Sequence, residues 1–372
     1  MNKSVTAIKT WLTKVQQTVW TELKKKDNLM IISAVFAAVI VMLVVVAAFL
    51  LKPAKYDIDS PGGSDSPVVV DATLRHPLTG EFLDSALEDL PQVYSVMVEN
   101  SADAWPLSGV DQAFLVIEVP VEGNIPRFIT FFSADSIADK IGPVRSARPY
   151  YLDWAQEFSA IYTHVGGSPE ALDILASRDL EDLNEFYQGE YFWRDVPRRL
   201  APHNVYTSIE KLLKAALELK PAEPDYLGWL FKNDAPIGAE GLSLVINWGE
   251  GSLYDVSWEY DLASNSYTRL QGSDIVRTEA GELVTANNIV VLASDITVVD
   301  SVGRRHIRTL GEGDALVVQD GNLILGTWKK ETINDRLRFY TSEGEEIRFN
   351  AGKTWIEVVP SLDRASTVTD LP

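Results

Sequence analysis

An uninterrupted apolar stretch near the N-terminus limits what this chain can fold into. Residues 29–51 read LMIISAVFAAVIVMLVVVAAFLL and contain no charged side chain. As a helix rising about 1.5 Å per residue, the stretch would extend roughly 35 Å, enough to cross a hydrocarbon core of about 30 Å. A cleavable signal peptide has a shorter apolar region, of about 7–15 residues, that ends at small residues. We therefore predict an uncleaved transmembrane helix over residues 29–51.

The distribution of charge predicts how this helix is oriented. Residues 1–51 carry six lysines and two acids, a net charge of +4, whereas the rest of the chain carries 27 basic and 51 acidic residues, a net charge of −24. Lys24, Lys25 and Lys26 directly precede the apolar stretch. Because basic residues are retained on the cytoplasmic side, we predict a single-pass protein of the cell membrane with a cytoplasmic segment at 1–28 and its bulk outside. That acidic bulk excludes nucleic acid as the main partner, since a polyanion would be repelled.

The chain contains no cysteine, and this excludes several classes of chemistry. A disulfide framework, an iron–sulfur cluster, a thiolate nucleophile and a lipid attached through a cysteine are all ruled out. The four histidines are scattered along the sequence, without H-E-x-x-H spacing and without a phosphate-binding Walker loop. We therefore predict neither a metal nor a cofactor.

Beyond the apolar stretch, composition and periodicity predict a linker and a first domain. Residues 52–70 are rich in Pro, Gly, Ser and Asp, which is typical of a tether. Residues 71–225 alternate strand-like runs with helical patterns, which indicates an α/β or α+β domain. Thr207 and Glu210 have the spacing of a capping box for the last helix. The strands are predicted at 93–100, 113–119, 127–134 and 160–165, and the helices at 149–158, 169–177 and 207–220.

A second predicted domain, at 242–360, shows no helical period. Pro, Gly and acidic residues concentrated at 226–241 predict a linker before it, and residues 361–372 are assigned to a tail. Short β-rich runs follow one another between turn signals, notably Asp320-Gly321. We predict a small all-β domain, either a barrel or a sandwich.

Motifs of both domains resemble those of a known bacterial family. In the first domain they are KIGPVRSARPYYLDWA (140–155), THVGGSPEAL (163–172), YFWRD (191–195) and APHNVYTS (201–208). In the second they are WEYDLASNSYTR (258–269), GDALVVQDGNLILGTWKK (313–330) and AGKTWIEVVP (351–360). Over roughly residues 90–360 the chain resembles the YerB-like family of bacterial lipoproteins, a two-domain family of unknown function. The resemblance implies a membrane-tethered protein exposed outside the cell and supplies no activity. The chain departs from the family in its anchor, because the lipid-attachment cysteine is absent and the predicted transmembrane helix takes its place.

The candidate site residues surround two predicted helix starts. Arg145 and Arg148 lie just before Pro149, so two cations face the positive end of a helix dipole and need an anion to compensate them. In the second motif two glycines precede a helix that Ser168 would cap, and their backbone N–H groups can face an anion. The predicted ligand-binding residues are Arg145, Arg148, His164, Gly166, Gly167, Ser168, Arg194, His203 and Asn204.

Three interpretations of these residues remain open. The arginines can bind an anionic ligand, such as a phosphate or carboxylate on a cell-wall polymer, a lipid head group or an acidic peptide terminus. They can instead pair with buried acids such as Asp153, Asp195 or Glu170 and organise the fold. The third interpretation is an envelope hydrolase or transferase that uses His203 with Asp195 or Ser168. Against this, the residue after Ser168 is proline, which has no N–H to donate to an oxyanion.

A basic cluster of the second domain is also ambiguous. Arg304, Arg305 and Arg308 lie close together in an acidic domain. They can face the membrane surface or the other domain, or they can be the solvated face of a hairpin. For the whole chain we favour a non-catalytic, membrane-anchored extracytoplasmic protein that binds an anionic envelope component or a protein partner. The sequence does not decide between this role and catalysis.

Overall fold

The structure, a computed structural model, describes two residues near the N-terminus and most of the chain from residue 74 onward. The described residues are Lys14, Gln17, 74–236, 241–248 and 253–368. The predicted transmembrane helix and tether therefore lie outside the described residues. Within the described ranges, no helix has the length and apolar character needed to cross a bilayer. The described residues from 74 to 368 belong to one compact unit.

The described parts of residues 74–368 are mostly β, with 22 strands and three short α-helices. The helices are α1 (Pro149–Gln156), α2 (Pro169–Ser177) and α3 (Ile209–Leu219). The first eight strands are β1 (Val93–Glu99), β2 (Leu115–Pro120), β3 (Pro126–Ser133), β4 (Ile161–His164), β5 (Asp182–Asn184), β6 (Trp193–Arg194), β7 (Val205–Tyr206) and β8 (Phe231–Lys232). The others are β9 (Ser243–Ile246), β10 (Val256–Asp261), β11 (Ser266–Gln271), β12 (Asp274–Ile275), β13 (Thr285–Ala286), β14 (Asn288–Ala293), β15 (Ile296–Val298), β16 (Arg305–Ile307), β17 (Gly311–Gln319), β18 (Asn322–Lys330), β19 (Arg338–Thr341), β20 (Phe349–Asn350), β21 (Thr354–Val359) and β22 (Ala365–Val368).

One ten-stranded sheet runs through both predicted domains. Its order is β19-β18-β17-β14-β21-β2-β3-β1-β4-β5, so five strands come from each domain. The two sets meet at a seam where β2 and β21 pair in parallel, with Leu115 opposite Thr354 and Glu118 opposite Glu357. Both seam strands are buried along their whole length, as expected for parallel strands covered on both faces. The C-terminal strands therefore extend the sheet of the first domain and do not close into a separate barrel or sandwich.

A second sheet covers one face of the ten-stranded sheet. Its path is β12-β11-β10-β9-β22, and β13 pairs with β11. Phe128, Trp258 and Trp355 belong to the core between the two sheets. Tyr151 and Trp154 of α1 belong to the core on the other face of the large sheet. The chain thus stacks helices, a central sheet and a second sheet in layers around two cores.

Most predicted elements of the first domain agree with the structure to within about two residues at each end. Pro149 and Pro169 each occupy the first helical position, where the missing N–H of proline costs no helical hydrogen bond. One cap differs from the prediction. Ser208, one residue later than the predicted Thr207, accepts the capping hydrogen bond of α3. Thr207 Oγ1 donates instead to the carbonyl of Tyr191, at 2.9 Å.

The segments predicted as a linker and a tail contain regular structure. Tyr226 and Trp229 are buried, and β8 pairs with β20 of the C-terminal segment. In the predicted tail, β22 pairs with β9 and extends the second sheet. Composition predicts a linker at 226–241 because Pro, Gly and acidic residues dominate the segment. The few aromatic side chains that pack there change its average composition little.

Candidate functional site

A cleft of about 520 Å³ opens at one edge of the central sheet. Strands β1, β2 and β4 run in the same direction, and residues at or beyond their carboxyl ends line the cleft. Open sheets with parallel strands commonly place ligands at this edge. The cleft brings together five of the nine predicted ligand-binding residues, namely Arg145, Arg148, Gly167, Ser168 and His203. We call it the arginine cleft, because Arg127 and Arg304 line it as well.

Glu99, at the end of β1, orients two of the predicted residues. Its carboxylate lies 3.4 Å from Nε of Arg145 and 2.9 and 3.0 Å from Nδ1 of His203. Ser101 Oγ donates to the same carboxylate at 2.7 Å. Because an ionised carboxylate accepts hydrogen bonds only, Nδ1 of His203 carries a proton. Nε2 is then the ring atom of His203 that remains for a ligand in the cleft.

Arg148, the residue before α1, is fully engaged with an acid. Its Nε and Nη2 donate to the two carboxylate oxygens of Glu122, at 2.7 and 2.9 Å. Its Nη1 donates to the carbonyl of Ala147 at 2.7 Å. Burial favours a higher pKa for Glu122, but the hydrogen bonds and the charge of Arg148 outweigh it and hold that pKa below its ordinary value. The cation that the sequence places at a helix start is therefore compensated by the protein itself.

Arg127, at the start of β3, forms no such ion pair with a described residue, although its charge contributes to the lowered pKa of Glu122. Its side chain is buried, with the whole residue 8% exposed, and it lines the arginine cleft. Among the described residues it donates one side-chain hydrogen bond, from Nη1 to the carbonyl of Ser146 at 3.0 Å, and it forms no ion pair with them. Burial, followed by the charges of Arg148 and Arg145, lowers the pKa of Arg127. No pattern in the sequence distinguishes this arginine from its neighbours.

The turn before α2 contributes backbone to the cleft. Ser168 caps α2, as predicted, by accepting the N–H of Ala171 at 3.3 Å. Gly166 has a φ of +59°, and a Cβ there would lie 2.8 Å from the ring of Phe186, so the turn requires glycine. Gly167 and Ser168 line the cleft, and the positive end of the α2 dipole therefore faces it.

His164 contacts the backbone of this turn and does not line the cleft. It is fully buried. Its Nδ1 lies 2.7 Å from the carbonyl oxygen of Gly166, and its Nε2 lies 2.6 Å from Oδ1 of Asp182. Both ring nitrogens face acceptors, so the contacts of His164 are with the protein and fix the turn.

Arg194 and Asn204 contact each other, and neither lines the arginine cleft. Nη1 of Arg194 donates to Oδ1 of Asn204 at 3.1 Å, and Nη2 donates to Glu185 at 2.9 Å. Asn204 is buried, and its Nδ2 donates to the carbonyl of Arg199 at 3.1 Å. Both residues are engaged in local structure.

The alternative catalytic group of Ser168, His203 and Asp195 is not assembled. Asp195 accepts a hydrogen bond from Nζ of Lys140 at 2.8 Å, and this contact holds the pKa of Asp195 below its ordinary value. The hydroxyl of Ser168 is engaged as a helix cap. The acid that contacts His203 is Glu99, which the sequence argument does not select.

Two of the acids expected to pair with the arginines, Asp153 and Asp195, have other partners. Asp153 accepts a hydrogen bond from Arg178 at 2.7 Å, and the partners of Arg145 and Arg148 are Glu99 and Glu122.

The basic cluster of the second predicted domain contacts the first predicted domain. Arg305 Nε donates to the carbonyl of Val121 at 2.9 Å, just after β2. Arg304 pairs with Asp300 at 3.1 Å and lines the arginine cleft. Among the described residues no group of three histidine or acidic side chains is placed to hold a metal ion.

The comparisons with known proteins agree with this architecture. Two family models match the chain, the N-terminal domain of DUF3048, a protein of unknown function, over residues 78–222, and its C-terminal domain over residues 244–356. YerB of Bacillus subtilis (strain 168), described as a candidate lipoprotein, is 35% identical over 303 residues, which is 79% of this chain and 88% of the relative. The chain belongs to the DUF3048 family. The crystal structure of YerB matches 79% of this DUF3048 protein and 99% of the YerB chain, with a TM-score of 0.71 and 32% identity. The resemblance to YerB-like proteins is thereby confirmed.

A second buried charge cluster of this DUF3048 protein lies at the seam. Glu118 and Glu357 are register partners and are both fully buried. Nη1 of Arg269, from β11, lies 2.8 Å from Glu118 and 3.2 Å from Glu357. Burial and then the charge of Glu118 raise the pKa of Glu357 well above its ordinary value. Each glutamate is a single acid within an apolar strand, in LVIEVP and TWIEVV, and this pattern is the sequence signal for the cluster.

Proposed function

We propose that this DUF3048 protein is membrane-associated, faces the outside of the cell and binds an anionic group of the envelope in the arginine cleft. The description of YerB as a candidate lipoprotein and the apolar stretch at 29–51 support the location. The proposed ligand is a phosphate or carboxylate carried by an envelope polymer, a lipid head group or a protein partner. Nucleic acid does not fit, given the acidic bulk of the chain.

Arg127 carries the proposal. Burying a cation without an anion is costly, and Arg127 is buried at 8% exposure in the wall of an open cleft. The neighbouring arginines do not share its situation, because Glu99 and Glu122 neutralise Arg145 and Arg148. An anionic group entering the cleft would neutralise the charge of Arg127 and approach the N–H groups at the start of α2.

The acids of the cleft limit the charge of the ligand. Glu99, Asp103 and Glu122 line it together with the arginines. A densely charged polyanion would be repelled by these carboxylates, whereas one phosphate or carboxylate group can reach Arg127. The proposed ligand therefore presents isolated anionic groups.

The test is thermal stabilisation of the full chain by inorganic phosphate, glycerol phosphate, acetate and vesicles with anionic lipid. A ligand at 100 times its dissociation constant stabilises the folded state by about 2.7 kcal/mol. We expect stabilisation by at least one of these anions that is lost in Arg127→Gln and retained in Arg194→Gln, the matched control outside the cleft. The free anions and the vesicles distinguish a soluble or polymer-borne group from a lipid head group. Absence of stabilisation, or equal stabilisation of Arg127→Gln, would overturn the proposal.

The contact between His203 and Glu99 favours a second candidate, an envelope hydrolase. A histidine whose Nδ1 is held by a buried acid presents Nε2 as a general base, and His203 lines the same cleft as Arg127. Turnover of phosphate or carboxylate esters by the wild type, abolished in His203→Gln and kept in His306→Gln, would support it. Anion binding without ester turnover would leave binding as the function.

A further inference from the structure

Three side chains that do not line the arginine cleft meet where β8 pairs with β20. Lys232 and Asn350 are register partners of these two strands. Asp320 comes from the turn between β17 and β18. Nζ of Lys232 contacts both Oδ2 of Asp320 and Oδ1 of Asn350. The triangle is completed by Nδ2 of Asn350, which donates to Oδ1 of Asp320 at 2.8 Å.

The surroundings hold Asp320 and Asn350 in this arrangement. Asn350 is fully buried and Asp320 is 5% exposed. Oδ1 of Asp320 accepts two further hydrogen bonds, from Nδ2 of Asn265 at 2.8 Å and from the N–H of Ala235 at 3.0 Å. The backbone N–H of Asn350 donates to the side chain of Asn288 at 2.9 Å. A carboxamide fixed so firmly beside an amine is placed for reaction with it.

We propose that Lys232 and Asn350 form an intramolecular amide bond, with Asp320 as the group that moves the protons. The two oxygens of Asp320 face the two atoms that exchange protons in this reaction. Oδ2 contacts the nucleophilic nitrogen of Lys232, and Oδ1 contacts the departing nitrogen of Asn350. One carboxylate therefore serves as general base and then as general acid.

The reaction balances without a co-reactant. The Asp320 carboxylate accepts a proton from the Lys232 ammonium, and the freed amine attacks Cγ of Asn350. The bond from Cγ to Nδ2 breaks, and protons from the attacking nitrogen, relayed by Asp320, leave with the amide nitrogen. The products are a secondary amide between Lys232 and Asn350 and one ammonium ion. The pKa of Asp320 is held below its ordinary value, because hydrogen bonds led by that of Lys232 outweigh burial, and an ionised carboxylate is the form that can accept the first proton.

The bond would join two parts of the chain that the sequence separates widely. Lys232 lies between the two matched family segments, and Asn350 lies near the end of the second. In a chain without cysteine, such an amide would close a long loop covalently where no disulfide can. It would restrict the unfolded chain in the way a disulfide does.

The experiment is intact-mass analysis of the purified full chain, followed by protease digestion and peptide sequencing by mass spectrometry. We expect a mass lower than that of the sequence by one ammonia, and a branched peptide that joins Lys232 to Asn350. Lys232→Arg, which keeps the cation at a partly exposed position, should have the full mass of its sequence. Asp320→Asn should also have its full mass while keeping the circular dichroism of the wild type.

Several results would overturn the proposal. A wild-type mass equal to that of the sequence excludes the bond. If the loss of ammonia persists in Lys232→Arg, the mass loss comes from ring closure at an asparagine, and the amide between Lys232 and Asn350 is excluded. A cross-link that persists in Asp320→Asn rejects the role of the carboxylate. If Asp320→Asn does not fold, the wild type and Lys232→Arg still decide whether the bond exists.

Discussion

Arg127 and Arg269 are both buried arginines on strands, yet their surroundings differ. Arg269 is 1% exposed and contacts two carboxylates at the seam. The rings of Trp355, Trp258 and Phe128 surround it, with centroids 4.7, 5.4 and 5.5 Å from its guanidinium carbon. Arg127 has no ion-pair partner among the described residues and one wall open to the cleft.

The difference separates a charge that organises the fold from one that our proposed function makes available to a ligand. Glu118 and Glu357 lie directly opposite each other, an arrangement that is unfavourable for like charges, and Arg269 compensates them within the protein. The charge of Arg127 has no ion-pair partner among the described residues, and in our proposal a ligand supplies the anion. Substitutions at the two sites should therefore have different effects on stability.

Removing Arg269 should have the largest effect. Arg269→Met leaves the buried side chains of Glu118 and Glu357 without a cation, and we expect the free energy of unfolding to fall by about 3–5 kcal/mol. Urea denaturation of the full chain at neutral pH measures it. Arg277→Met, at an exposed arginine of the same region, is the control and should change stability little. A loss below about 1 kcal/mol for Arg269→Met would mean that the seam does not depend on this ion pair.

The raised pKa of Glu357 should make stability depend on pH. The folded state binds this proton more tightly than the unfolded state, whose glutamate has the ordinary pKa of 4.5. The free energy of unfolding should therefore fall as pH rises from 4.5 toward the folded-state pKa, by at most about 1.4 kcal/mol per pH unit. Glu357→Gln should lose this contribution and gain stability relative to the wild type across that range. Parallel stability curves for the two proteins would contradict the assignment.

In the cleft, removing Arg127 should not lower the free energy of unfolding in the absence of a ligand. Arg127→Met should leave the free energy of unfolding unchanged or raise it by about 1 kcal/mol, because it removes a buried, uncompensated cation. Arg148→Met is the matched contrast. This substitution removes the hydrogen-bond donors of Glu122 and should lower the free energy of unfolding by about 2 kcal/mol. Equal losses in both variants would show that Arg127 has a partner inside the protein.

The smallest effect is expected outside the cleft. Arg194 has a side chain 39% exposed and pairs with Glu185, and exposed ion pairs contribute little. Arg194→Ala should lower stability by less than about 1 kcal/mol in the same denaturation series. A larger loss would indicate that its contact with Asn204 organises the surrounding turn.

The sequence predicts the local features that bring the site together. Proline at the first helical position marks the starts of α1 and α2, and Ser168 marks a cap, because these preferences act over a few residues. The same local reasoning selects Arg145, Arg148 and His203, which the structure places in one cleft. It cannot select Glu99 or Arg127, whose roles depend on how β1 and β3 are placed in the sheet.

The sharing of one sheet by the two predicted domains is missed for a related reason. Strand patterns show that β2 and β21 exist, but a parallel pairing between strands so distant in sequence has no local signal. Register between them is set by burial on both faces and by the whole sheet around them.

The seam has a consequence for how the chain must be made. Strand β2 has its partner β3 nearby in sequence, but its other edge stays unpaired until β21 has been synthesised. An unpaired edge on a mostly apolar strand recruits other chains. A product that stops after the first family segment would expose that edge permanently, so we expect C-terminal truncation to yield aggregates and not a shorter working protein.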